Sequence, residues 1–141
     1  MQKGIQSLHA VVDYSVMIFD PTNNVGDDVK CAYDRWAEVC KTMIVLDAGT
    51  SSDLDEVSDT LAKLGVEHCG FCEPDLYGIQ TAVCFVADER VYDTERYPLY
   101  DPLMHGTMEN FLADYFGGIS TMQYDDIMAL RELIFSKKLS M

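Results

Sequence analysis

The chain has 141 residues, 48% of them hydrophobic, which is enough for one buried core and too few for several independent ones. Ten Lys and Arg residues against 24 Asp and Glu residues give a formal net charge of -14. A surface of this sign repels phosphate backbones at long range, so nonspecific nucleic-acid binding is disfavoured. A small nucleotide held in a local pocket remains compatible with it.

The number and placement of the cysteines predict a reducing compartment. Five is an odd number, and each cysteine lies in or beside an apolar segment rather than in a dense framework. The sequence shows no basic stretch followed by an apolar leader, and no apolar run of the roughly 18 residues that a membrane span needs. We therefore expect a cytoplasmic protein without a membrane partner.

Apolar residues at helical spacing predict a first amphipathic helix over about residues 4–18. Its expected buried stripe consists of Ile5, Leu8, Val12, either Ser15 or Val16, and Phe19. Residues 20–26 break this helix, and a second one is expected from Asp27 or Asp28 to Val39, with Trp36 in the core.

The middle of the chain alternates between strand and helix patterns. The apolar run 42–47 predicts a central strand buried on both faces. A helix capped by Ser52 or Asp53 and ending at Gly65 follows, and then a strand over 66–72. This order favours a parallel pair with a right-handed crossover, and a further strand over 81–87 is expected to return antiparallel.

The character of the sequence changes after Arg90. An aromatic, proline-punctuated linker leads to a predicted helix over 108–116, ended by Gly117 and Gly118, and to a final helix over 125–139. We expect an α/β domain over residues 1–90, and over 91–141 a helical extension packed on that domain or on a partner subunit.

Two polar residues are candidates for chemistry. Pro74 ends the strand that precedes it, which presents Asp75 on a tight turn, and His9 lies on the first helix. An imidazole exchanges protons near neutral pH, and a carboxylate bonded to it would fix its tautomer. If the two meet, they can activate water for attack on an ester or a phosphodiester.

Structural roles explain the same residues equally simply. His9 fits the edge of a buried helical stripe, Asp75 fits a common turn former, and Thr81 fits a β-branched strand residue. Cys69 and Cys72 lie three apart, which on a strand directs them to opposite faces. No second cysteine pair is spaced to complete a zinc site, so neither a metal nor another cofactor is expected.

Several segments together resemble a known family. They are Gln6-Ser7-Leu8-His9-Ala10, the strand pattern 42–46, Phe71-Cys72-Glu73-Pro74-Asp75-Leu76 and Thr81-Ala82. In this order they resemble the type-2 peptidyl-tRNA hydrolase superfamily, in particular its compact phage and bacterial branch. The resemblance covers about residues 2–87.

The resemblance implies a two-layer or three-layer α/β sandwich with a small mixed sheet flanked by helices, and hydrolysis of the ester between a peptide and tRNA. It implies catalytic roles for His9, Asp75 and Thr81. Substrate binding falls to Gln6, Lys3 and Glu73, although the family's catalytic lysine matches Gln2 rather than Lys3.

The family usually has a strand before the histidine helix, where this chain has only Met1-Gln2-Lys3. The C-terminal segment or a partner subunit is expected to cover that sheet edge, and a homodimer is one such arrangement. Two functions stay open: a peptidyl-tRNA hydrolase-type enzyme, and a related protein that cleaves or sequesters a small cyclic nucleotide messenger.

Overall fold

The computed structural model describes residues 3–139, and the side chains of residues 5–137. Its contacts divide the chain into two compact units. The first runs to Val86 and includes the C-terminal segment from Lys137, and the second spans Ala87 to Ser136.

The first unit contains three α-helices and four short strands. Its elements are α1 (Lys3–Phe19), α2 (Asp27–Arg35) with a π-helical turn (Trp36–Cys40), β1 (Leu46–Asp47), α3 (Ser51–Lys63), β2 (His68–Glu73), β3 (Ile79–Phe85) and β4 (Lys138–Leu139).

Strands β2 and β3 form an antiparallel hairpin, as the sequence predicts for the strand after the Asp75 turn. The 3-10 turn Pro74–Leu76 joins them, and Tyr77 and Gly78 follow with positive φ angles of 58° and 75°. Gly78 adopts that conformation without a steric penalty, and its N–H donates to the Glu73 carbonyl over 3.0 Å. Helices α1 and α3 both pack on this hairpin.

The predicted parallel pair and crossover are wrong. Within residues 3–139 both strand pairs are antiparallel: β2 pairs with β3, and β1 pairs with β4. Closing the short turn after Glu73 costs little chain entropy, so β2 takes β3 as its partner.

The predicted central strand over 42–47 is also wrong, because only Leu46 and Asp47 pair. Met43 and Ile44 are half exposed. The Trp36 indole N–H donates to the Thr42 carbonyl over 2.7 Å, which ties the start of this run to the turn after α2. Trp36 is itself only partly buried and contacts the Tyr33 ring, so its predicted place in the core is wrong.

Helix α1 buries the face opposite to the predicted one. Tyr14 and Ile18 are at most 2% exposed and form a cluster with Val25, against which Cys69 and Cys84 pack from the hairpin. The stripe that was expected to be buried is exposed instead. Tyrosine and alanine on the other face pack closely against the strands, and periodicity alone does not distinguish between two apolar faces.

Helix α3 begins with a capping box at Thr50, two residues before Ser52, the nearer of the two predicted caps. The Thr50 hydroxyl accepts from the Asp53 N–H over 3.3 Å, and the Asp53 carboxylate accepts from the Thr50 N–H over 2.6 Å. These bonds from Thr50 lower the pKa of Asp53. The helix stops before Gly65, which has a φ of 68°, as predicted.

The second unit is helical: α4 (Glu89–Tyr92), α5 (Pro102–His105), α6 (Met108–Phe116) and α7 (Thr121–Phe135). Phe111 is fully buried and centres a cluster with Leu112, Phe116 and Tyr124. Helix α6 has the predicted bounds. Helix α7 starts earlier than predicted because Ser120 caps it, and it ends at Phe135 rather than at residue 139.

The first unit is thus an α/β arrangement of a small antiparallel sheet with flanking helices, and the second is all helical. Among the helices described, none has the length and apolar character needed to cross a membrane.

Candidate functional site

Gln6 and His9 lie one turn apart on α1, on the side that meets the hairpin. The Gln6 side-chain N–H donates to the Glu73 carboxylate over 2.9 Å. The Thr81 hydroxyl donates to the Gln6 side-chain carbonyl over 3.3 Å. The Gln6 amide therefore links α1 to the end of β2 and to the first half of β3.

A β-bulge gives Thr81 its position. Phe71 pairs with Ala82, but the next residue, Cys72, pairs with Gln80, so Thr81 is an extra residue without a partner on β2. Bulges of this kind redirect a side chain and are common beside active sites. The Thr81 hydroxyl also lies 3.4 Å from the Phe71 carbonyl, which helps to orient it toward α1.

Strand alternation explains why this face carries the site. Phe71 and Glu73 are two residues apart, so both point toward α1. The residues of the opposite parity face α3, where the Gln80 amide donates to the Ser58 hydroxyl over 3.0 Å. Gly70 leaves room for this side chain: a Cβ atom at position 70 would lie 2.5 Å from the Gln80 amide oxygen, so the amide would have to turn away from it.

His9 stacks on Phe71. The ring centroids are 4.7 Å apart and the planes differ by 14°. The His9 side chain is otherwise exposed, so its nitrogens are accessible to a solute. An aromatic surface beside a titratable ring is suited to binding a flat group and exchanging a proton with it.

Asp75 lies on the exposed 3-10 turn, two residues after Glu73. Among the side chains of residues 5–137, no hydrogen bond or ion pair joins Asp75 to His9; the carboxylate that α1 contacts is Glu73, through Gln6. Lys3 begins α1, and its side chain lies outside the described part. A common catalytic role for His9 and Asp75 stays a prediction.

The structure thus joins three of the predicted residues, Gln6, Glu73 and Thr81, by hydrogen bonds, and it places His9 next to them. Phe71 was missed as a site residue. Its position two residues before Glu73 on one strand face was the signal that could have identified it.

Two cysteines of the hairpin, Cys69 and Cys84, pack against the buried face of α1. Cys69 and Cys84 are directly opposite in register, and Cys72 is exposed. Burial, with a smaller contribution from Cys69, raises the pKa of Cys84 to about 11. Within the described residues, no three His, Cys, Asp or Glu side chains form a group that could hold a metal ion.

No protein-family model, curated protein or solved structure matches this chain.

Proposed function

We propose that this protein is a hydrolase of the peptidyl-tRNA hydrolase type, with a related fold, that cleaves a nucleotide-linked ester at the face formed by α1, β2 and β3. The motif resemblance supports this, since its histidine helix and its Glu-Pro-Asp turn belong to elements that pack together. The mixed sheet that the resemblance implies is not present in residues 3–139, where both strand pairs are antiparallel, so the proposal depends on the site rather than on the sheet.

The observation that carries the proposal is the bonded set Gln6, Glu73 and Thr81 next to an accessible imidazole. Three polar side chains from three elements converge over distances of 2.9 and 3.3 Å. A polar network that spans helix and sheet holds its members in fixed positions, as a catalytic site requires.

In this proposal His9 accepts the proton of the attacking water and returns it to the ribose oxygen as the bond between that oxygen and the ester carbonyl breaks. Asp75 orients the water or the imidazole. The Thr81 hydroxyl now donates to Gln6, so it must turn to donate to the developing oxyanion. Gln6 and Glu73 then bind the substrate hydroxyls, and the resemblance assigns Lys3 to substrate binding through its positive charge.

A second candidate is a small cyclic nucleotide messenger, either cleaved or sequestered. The net charge of -14 favours a small ligand over a long phosphate backbone. The His9–Phe71 stack offers an aromatic surface on which a base can lie.

The decisive experiment incubates the purified protein with N-acyl-aminoacyl-tRNA and, separately, with cyclic dinucleotides and trinucleotides, and separates the products by chromatography. Release of free tRNA supports the first candidate. Cleavage of only the cyclic species replaces it with the second, and tight binding with intact ligand recovered after denaturation indicates sequestration. If no substrate is bound or changed, both candidates fail.

His9→Ala should abolish turnover while the protein stays folded, because His9 is exposed. His68→Gln is the matched control. His68 lies on β2, its Nδ1 is 2.9 Å from the Val66 carbonyl, and it makes no bond to Gln6, Glu73 or Thr81. Full activity in His9→Ala would contradict the assigned role.

A further inference from the structure

Helix α1 carries a second apolar face that the first unit leaves uncovered. Its members, between 47% and 63% exposed, are Ile5, Leu8, Val12, Val16 and Phe19, here named the outer stripe. The opposite face of the same helix is buried through Ala10, Tyr14 and Ile18. A helix that is apolar on both sides is typically covered on both.

The outer stripe has the spacing of one apolar helix face. Ile5, Val12 and Phe19 are seven residues apart, Leu8 follows Ile5 by three, and Val16 follows Val12 by four. Ser15, three residues after Val12, lies outside the stripe because its hydroxyl bonds that of Tyr33 within the unit. The stripe therefore follows the 3.6-residue period of a face that packs against another helix.

We propose that the outer stripe is the interface of a homodimer, in which the α1 helices of two copies pack about a two-fold axis. A stripe along a single helix is self-complementary under such an axis, since each residue meets the same surface on the second copy.

The exposed area fits a dimer interface. Five apolar side chains exposed by about half present roughly 500 Å², a patch large enough to mark an interaction site and somewhat below the 800 Å² per partner of a standard interface. Flanking polar residues of α1 supply the remainder. Area alone does not set affinity, so the association has to be measured over the whole micromolar range.

Charge favours a second copy over a basic partner. The chain is strongly acidic, yet between Gly4 and Phe19 the only charged residue is Asp13, and it lies outside the outer stripe. A basic protein would bind the acidic surface of the chain outside α1. An uncharged stripe instead suits an identical uncharged stripe, with no acidic residue brought against another.

The test is sedimentation equilibrium over a concentration series. The wild-type chain should approach twice its mass of 15.9 kDa, whereas Val12→Glu/Val16→Glu should remain a monomer. Val12→Lys/Val16→Lys should also be monomeric, although it makes the net charge less negative. This variant therefore separates disruption of the stripe from repulsion between two acidic chains. Leu103→Glu, at an apolar residue 96% exposed in the second unit, should still dimerise.

Both stripe positions are exposed on a helix, so these variants should keep the wild-type circular dichroism and the urea midpoint that the wild type has at concentrations where it is monomeric. A monomer with these properties is a folded chain. A wild-type monomer throughout the micromolar range would overturn the proposal. So would dimers that persist in both stripe variants, or that are lost only in Leu103→Glu.

Discussion

The Tyr14 hydroxyl is held protonated by its burial between α1 and the hairpin. Burial, the neighbouring Cys84 and, to a lesser extent, other acidic groups raise its pKa from 10.0 to about 12, against a lowering by its hydrogen bond to the Val86 backbone. In the unfolded chain the same hydroxyl ionises near 10. The raised pKa therefore stabilises the folded chain in full below pH 10, and this stabilisation is lost as the pH rises from 10 to about 12.

We expect this loss to amount to as much as about 3 kcal/mol of unfolding free energy between pH 10 and 12. Urea unfolding at a series of pH values measures it. Tyr14→Phe should be less stable at neutral pH, because it lacks the hydrogen bond to Val86, and should show a smaller decline above pH 10. An identical decline in both proteins would show that Tyr14 does not titrate as described.

The five thiols should differ in reactivity according to burial. Cys31, Cys40 and Cys72 are exposed, while Cys69 and Cys84 are half buried and have raised pKa values. A thiol with a pKa of about 11 instead of 9 has about a hundredfold less thiolate at neutral pH.

Iodoacetamide labelling followed by peptide mass spectrometry should therefore modify Cys31, Cys40 and Cys72 first and Cys84 last. In urea all five should react at similar rates, which is the control for local sequence effects. Early modification of Cys84 in the folded protein would contradict its position against the core.

At this scale the sequence predicted more of the site's members than of its geometry. His9 was a candidate because an imidazole lies on the first helix, whereas Gln6, Glu73 and Thr81 were implied only by the family resemblance. The bulge that frees Thr81 has no signature in the sequence, since neither a glycine nor a proline marks it. Glu73 rather than Asp75 contacts α1 because Glu73 is still part of β2, two residues after Phe71, whereas Asp75 lies on the turn beyond the strand.

Among the elements, α7 is fixed to the start of the second unit by one guanidinium. Arg131 is 8% exposed and donates to the backbone carbonyls of Val91, Arg90 and Tyr97 over 2.6 to 2.9 Å. Arg131→Met keeps the apolar stem but leaves three carbonyls without this donor. We expect a loss of about 3 kcal/mol or more.

Thermal and urea unfolding measure this loss, and Arg96→Met is the matched control. Arg96 is exposed and makes only a 3.6 Å ion pair with Glu89 and a contact with the Tyr97 ring, so its removal should cost less than about 1 kcal/mol. Equal effects of the two substitutions would mean that the buried bonds of Arg131 do not stabilise the unit.

Helices were easier to predict from the sequence than sheet partners were. The bounds of α1 and α6 follow from local spacing and from stop signals such as Gly117, which has a φ of 68°. Pairing is not local. The run 42–47 has the composition of a central strand, but only two of its residues find a partner, because the hairpin turn gives β2 a nearer one.

At the scale of the whole molecule, the charge of -14 opposes compaction and association alike. Few ion pairs offset it in the part of the chain described: those of Arg90 with Asp88 and of Arg96 with Glu89 are on the surface. Added salt screens repulsion between exposed carboxylates, and apolar contacts are not weakened by it.

Raising sodium chloride from about 0.02 to 0.5 M, which shortens the screening length severalfold, should therefore increase the urea midpoint and tighten the α1 dimer. Urea is the suitable denaturant because, unlike guanidinium chloride, it adds no ions. The monomeric Val12→Lys/Val16→Lys variant isolates the folding effect, and sedimentation of the wild type reports the association. A dimer that dissociates as salt rises would be held by ion pairs, which the uncharged outer stripe does not supply.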